Sequence, residues 1–118
     1  MPMPEPPALP LIDRLDPAAM RAHAADASRL LKALANDKRL MLLCQLVEGE
    51  RSVGELNAGI SLSQSALSQH LAVLREDGLV TTRREAQSIY YSLAPGPAER
   101  ILATLHEIYC GAGERLCE

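Results

Sequence analysis

The stretch Ser63–Gly78 (SQSALSQHLAVLREDG) constrains the chain most, because it reads as one helix with both ends marked. Ser63 suits the N-cap, since its hydroxyl can accept a hydrogen bond from an otherwise unpaired amide of the first turn. Gly78 suits the left-handed residue that closes a helix. Leu67, Leu71 and Leu74 share one face. The opposite face carries Gln64, Ser65, Ser68 and Gln69, which both donate and accept hydrogen bonds. A face of Gln and Ser suits base edges in a DNA major groove. Alone, the helix fits a polar surface element equally well, so its flanks decide.

Upstream, Ser52 and Glu55 form a Ser-x-x-Glu capping box that opens a short helix through Val53, Leu56 and Ala58. Gly59–Leu62 is a tight connection into the central helix. Two helices so joined, the second with a polar reading face, are a helix-turn-helix. Downstream, Leu79–Arg84 and Ile89–Leu93 are β-branched or aromatic and flank the polar Glu85–Ser88. They read as a hairpin, although the Asn-Gly or Asp-Gly of the commonest tight turns is missing. A helix-turn-helix followed by a hairpin is a winged helix. Its wing would carry Arg83, Arg84 and Gln87 to the DNA backbone or minor groove. His70 falls mid-helix, with a structural or phosphate-facing part expected. Tyr90 and Tyr91 alternate across the strand, so one should be core and the other surface.

The other elements follow from caps and spacing. Residues 1–15 hold five prolines and read as an extended or flexible arm, leaving 16–118 as the folded domain. Asp16-Pro17 starts a helix that runs to about Ala35, with Met20, Ala24, Ala27, Leu30, Leu31 and Leu34 at helical spacing. Asn36 caps the next, Asp37 to about Glu48, with Leu40, Leu43, Cys44 and Val47 along one stripe and Gly49 at its end. Cys44 is thus expected on or beside the buried face. After Pro95-Gly96-Pro97 a last helix runs from about Ala98 to Cys110, with Ile101, Leu102, Leu105, Ile108 and Tyr109 apolar. The expected fold is mainly α, with five helices and two strands.

A chain of 118 residues without Trp or Phe has a modest core of Leu, Ala, Ile and Val, so burial against a second copy is expected. No apolar run is long enough for a membrane span, and no signal peptide is recognisable, which implies the cytoplasm. There, three cysteines are inert core thiols, metal ligands or redox groups rather than a disulfide framework. The formal charge is −3, and between Ser61 and Tyr91 three arginines (Arg75, Arg83, Arg84) face three acids (Glu76, Asp77, Glu85). DNA binding then requires the arginines to face the duplex and the acids to turn away.

Arg51–Leu56 (RSVGEL), Leu62–Leu71 (LSQSALSQHL) and Leu74–Val80 (LREDGLV) resemble the ArsR/SmtB family of bacterial winged-helix repressors. The resemblance covers about Ala27 to Cys110. Glu85–Tyr91 (EAQSIYY) and Leu105–Cys110 (LHEIYC) look like the branch containing BigR, SqrR and HlyU, which respond to reactive sulfur species. The resemblance implies a homodimer joined through its first and last helices, and a repressor that leaves its operator DNA when its sensor is modified. It also implies that Cys44 and Cys110 are the sensor pair, linked by persulfides or polysulfides as inducers. The metal-sensing pattern of other members, E-L-C-V-C-D-L, falls here on Glu50–Leu56, with Ser52 and Gly54 in place of both cysteines. No cofactor or metal is therefore expected.

Several readings compete. A buried thiol is commonly a small hydrophobe, which is the bland account of Cys44. A general disulfide sensor would use the same pair. A thiolate metal sensor would use Cys44 and Cys110 with His106 or Cys117; Cys117 otherwise reads as a spare thiol. An enzyme ranks low, since there is no Cys-x-x-Cys and no readable nucleophile–base pair. A protein-interaction module that has lost DNA binding conflicts with the intact Gln and Ser face.

Overall fold

The computed structural model describes residues 15–111; the Pro-rich arm, apart from Leu15, and Cys117 lie outside the described residues. Helix α1, Pro17–Leu34, begins as its sequence requires, with the Asp16 carboxylate accepting from the amides of Ala18 (3.0 Å) and Ala19 (3.4 Å). Helix α2, Asp37–Val47, is capped by Asn36, whose side chain accepts from the Arg39 amide at 3.0 Å. The capping box opening α3, Val53–Ala58, is closed in both directions: Glu55 N–H to Ser52 Oγ is 3.1 Å and Ser52 N–H to Glu55 Oε1 is 2.8 Å. Helix α4 spans Gln64–Glu76 and α5 spans Pro97–Cys110. Gly78 has φ +74°, the left-handed conformation its place after α4 demands.

Three strands occur where two were expected. The hairpin is β2, Val80–Glu85, against β3, Ser88–Leu93, with Glu85 opposite Ser88. Strand β1 is Arg51–Ser52, pairing antiparallel with Tyr91 and Tyr90, so the order is β1-β3-β2. The two-residue hairpin turn places Ala86 at φ +57°, a value that a tight hairpin needs and that Asn or Gly would take more easily.

Leu42 and Leu43 are wholly buried and Leu46 nearly so. Through them α2 packs on α1, α4, α5 and β3. Leu56 of α3 and Leu67, Leu71 and Leu74 of α4 complete the centre, with Leu79, Ala98 and Leu102 around it. The expected stripe on α2 is thereby corrected. Cys44 and Val47 are exposed, because the fold buries the Leu42–Leu43–Leu46 side of the helix. The stripes of α1 and α5 are also only partly used within one chain. Leu34 and Leu102 are buried, but Met20, Leu31, Ile108 and Tyr109 are exposed.

The turn between α3 and α4 is tight because Gly59 lies under Gln45 of α2. A Cβ at Gly59 would collide with the Gln45 side-chain amide. Ser63 then starts α4, its Oγ accepting from the Ala66 amide at 3.1 Å. Ser63→Ala is expected to lower unfolding stability by ~1 kcal/mol. Ser65→Ala, exposed in the first turn beyond that cap, should stay within about 0.5 kcal/mol. Urea titration of both variants checks this.

Candidate nucleic-acid interface and cysteine pair

The first turns of α4 present an uncharged polar surface. Ser63, Gln64, Ser65, Ser68 and Gln69 are all exposed, while Leu67, Leu71 and Leu74 hold the other side in the core. Reading helices contact bases mostly from their N-terminal residues, and that is where these five lie. The same end carries the positive pole of the helix, which favours phosphate. Ser63 is partly committed, since its oxygen caps the helix.

His70 is half-buried on the flank of α4. Its Nδ1 lies 3.4 Å from Nη1 of Arg39 on α2. On the other flank, Ser68, Ala72 and Arg75 line an open groove of about 570 Å³ whose far wall is Ile89 and Tyr91 of the wing. Both tyrosines are half-buried, so the expected division into one core and one surface residue is incomplete, although the two have different neighbours. Tyr91 packs on the core, and Tyr90 lies under the Arg83 guanidinium, 4.6 Å from ring centroid to Cζ.

The wing arginines are not equivalent. Arg83 makes a two-pronged pair with Glu50, Nε and Nη2 each 2.8 Å from a carboxylate oxygen, and a third contact of 2.8 Å to Glu85. Arg83, expected at the DNA backbone or minor groove, is thus ion-paired on the protein surface in the free chain. The neighbouring strand position points the other way. Arg84 and Gln87 are exposed, with no side-chain hydrogen bond among the described residues. Arg75, one of the arginines that DNA binding requires to face the duplex, is an exposed cation on the groove, whereas Arg29, to which the sequence assigns no role, places its Nε 2.7 Å from Asp77 at the end of α4. Arg29 and Asp77 are 48 residues apart, and no local pattern marks them.

The Arg83 guanidinium holds the Glu50 carboxyl below its ordinary range, so the pair persists at neutral pH and is lost only as pH falls through that lowered value.

The cysteines occupy two packed helices. Cys44 is a free, exposed thiol on α2, though the protein around it still withholds enough water to push its titration up. Cys110 is 1% exposed at the last position of α5, and its sulfur is disulfide-bonded, so the two are not linked to each other. Among the described residues no three His, Cys, Asp or Glu side chains cluster as metal ligands, and no helix is long and apolar enough to cross a membrane. His23 and His106 are exposed.

A helix-turn-helix with an exposed polar reading helix and a wing defines a winged-helix DNA-binding regulator. Residues 36–82 match the family model described as bacterial regulatory protein, arsR family. The chain is 52% identical over 95 residues to the transcriptional activator HlyU of Vibrio cholerae, covering 80% of this chain and 88% of that one. It is 50% identical over 98 residues to the biofilm growth-associated repressor of Agrobacterium fabrum, covering 83% and 84%. Among solved structures, reduced HlyU from Vibrio cholerae superposes with a TM-score of 0.73 over 78% of this chain and 97% of that one, at 52% identity. The repressor BigR from Xylella fastidiosa gives 0.76 over 83% and 100%, at 44% identity. The homodimeric winged helix-turn-helix domain of Mb0332 from Mycobacterium bovis gives 0.67 over 75% and 82%, at 32% identity. The chain belongs to the ArsR family of bacterial transcriptional regulators, with its relatives in the branch of HlyU and BigR.

Two outcomes follow from this geometry. Arg84→Ala should weaken DNA binding and flatten the plot of log affinity against log salt by about one unit, as loss of one phosphate contact does. Arg83→Ala should flatten it less, because Glu50 and Glu85 already use that charge. Separately, alkylation of Cys44 should be slower at neutral pH than that of an unstructured cysteine and should climb further as pH rises, because its thiolate is disfavoured by desolvation. Rates with iodoacetamide across pH, read by peptide mass, check this.

Proposed function

We propose that this protein is a homodimeric, cytoplasmic repressor that binds operator DNA through α4 and the wing and is released when persulfides link Cys44 to Cys110. The observation that carries the reading is the placement of the two cysteines. They lie on α2 and α5, which pack on each other, while α2 also supports the reading helix. A bond between them would pull on the support of α4 at one end and on α5 at the other. Operator half-sites have fixed spacing, so a small change in the angle between two reading helices weakens binding.

Several features support a second copy. Met20 and Leu31 on α1 and Ile108 and Tyr109 on α5 are exposed in the single chain. The similar Mb0332 domain is described as homodimeric, and relatives are named both as an activator and as repressors. Ser65, Ser68 and Gln69 would face base edges, with Gln64 and Ser63 beside them. Arg84 and Gln87 would reach the backbone from the wing, and His70 would face phosphate.

The chemistry starts from the reduced chain. The Cys44 thiolate attacks the outer, sulfane sulfur of a low-molecular-weight persulfide. A new S–S bond forms on Cys44, the persulfide's own S–S bond breaks, and the small thiolate leaves. Cys110 is converted in the same way. The terminal sulfur of one protein persulfide then attacks the cysteine sulfur of the other, expelling hydrosulfide and leaving a three-sulfur bridge. The persulfide is the oxidant throughout. A direct disulfide needs Cα atoms within about 7 Å, whereas a bridge with an added sulfur spans more. Cysteines held beyond direct reach would accept sulfur transfer and resist peroxide. Exposure gives Cys44 the first step, and its raised titration makes the thiolate scarcer but more nucleophilic.

The test treats reduced protein with glutathione persulfide and follows intact mass alongside a gel shift on promoter DNA. Wild type and Cys117→Ser should gain one sulfur less two hydrogens and release the DNA. Cys44→Ser and Cys110→Ser should form no bridge and stay bound. Retention of DNA by the bridged protein, or a quantitative Cys44–Cys110 disulfide from hydrogen peroxide alone, would sink the proposal.

A further inference from the structure

Arg39 joins three helices through one guanidinium. Its Nε donates to the Ala33 carbonyl at 2.6 Å and its Nη2 to the Lys32 carbonyl at 3.1 Å. These are among the last carbonyls of α1, beyond the reach of its regular hydrogen-bond ladder, and the Lys32 carbonyl also accepts from the Ala35 amide at 3.3 Å. Its Nη1 is 3.4 Å from Nδ1 of His70 on α4, and its own amide donates to the Asn36 cap. Every nitrogen of the fork is thus placed.

A guanidinium can only donate, so Nδ1 of His70 must be the acceptor. In a neutral imidazole the proton then sits on Nε2, on the far side of the ring from Arg39. His70 is half-buried and follows the exposed Gln69. The ring therefore shows Arg39 an acceptor and turns a single N–H donor away from it.

We propose that Arg39 is a positioning residue for DNA binding: by anchoring Nδ1 of His70 it fixes the tautomer and ring orientation that present Nε2–H to a DNA phosphate oxygen. The inference rests on the reading of α4 as the operator-binding helix. Arg39 itself touches no DNA in this account. Its two bonds to α1 keep the fork rigid, so that the third contact is directed rather than loose.

The experiment has two arms on the full-length protein. Long-range proton–nitrogen NMR of the free wild type should show His70 protonated on Nε2 and bare on Nδ1; the opposite tautomer would overturn the proposal. The second arm measures binding to DNA from the promoter of the protein's own gene. Glutamine places an amide N–H near the Nε2 position, and asparagine places one near Nδ1. His70→Gln should therefore bind within about twofold of wild type, and His70→Asn should lose about tenfold, the size of one hydrogen bond to a charged group. Arg39→Lys keeps the charge but not the fork and should also lose about tenfold. In the His70→Gln background, which has no tautomer to fix, Arg39→Lys should cost almost nothing. An equal loss in both backgrounds would assign Arg39 a purely structural part and overturn the proposal. Failure of the wild type to bind the promoter would overturn the DNA-binding reading and the donor role of His70 with it; the tautomer is read independently of that outcome.

Discussion

Burial of one side of α2 is the constraint on which the other elements depend. Leu42, Leu43 and Leu46 are almost entirely removed from water, and the helix that carries them packs on α1, α4, α5 and β3. Each buried leucine contributes ~1.5–3 kcal/mol relative to exposure, and the shared packing fixes α2 in one orientation. That orientation leaves Met41, Cys44 and Val47 outside. Leu43 and Cys44 are sequence neighbours, one buried and one exposed, so the thiol lies directly behind the core that supports α4. A close-packed interior passes on strain, so a modification there would reach the reading helix without a hinge.

Electrostatics decides which cations are free to meet phosphate. The region around α4 has equal numbers of arginines and acids, which in the sequence obscures any basic face. Folding sorts them. Asp77 is taken by Arg29 and Glu85 by Arg83, while Arg83 is also held by Glu50. Arg75 and Arg84 remain exposed on the side of the groove and the wing, and Glu76 is the acid left beside them. Exposed pairs of this kind contribute little to stability. Their larger effect is to remove acids from the surface that a polyanion would meet.

Features written in adjacent residues are legible in the amino-acid sequence. The caps at Asp16, Asn36, Ser52 and Ser63, the terminator at Gly78 and the alternating wing strands all appear where expected. Three kinds of feature are not legible there. Strand β1 has two residues, too short for any periodicity, and exists because Tyr90 and Tyr91 offer it partners. The buried side of α2 is ambiguous because DKRLMLLCQLV is apolar around much of its circumference. Two stripes fit it, and only contact with four other elements selects one. The pairs Arg29–Asp77, Arg39–His70 and Arg83–Glu50 join residues 48, 31 and 33 apart, where spacing carries no signal.

The exposed apolar residues connect these parts. Tyr109 is 76% exposed and Cys110, the next residue, 1%, so the end of α5 is divided between the surface and the interior within a single step of the chain. A second copy covering Ile108 and Tyr109 would sit against the same turn that holds Cys110. On the other side of the fold, α1 exposes Met20 and Leu31 and ties itself to α4 through the Arg29–Asp77 pair. A partner gripping both helices would therefore reach the reading helix by two routes, through α1 and that ion pair, and through α5 and the core of α2. The proposed cysteine bridge would lie on the second route alone. In the proposed dimer, DNA release would require only that the second route shift against the first, because the two routes together would fix the reading helix relative to its copy in the partner.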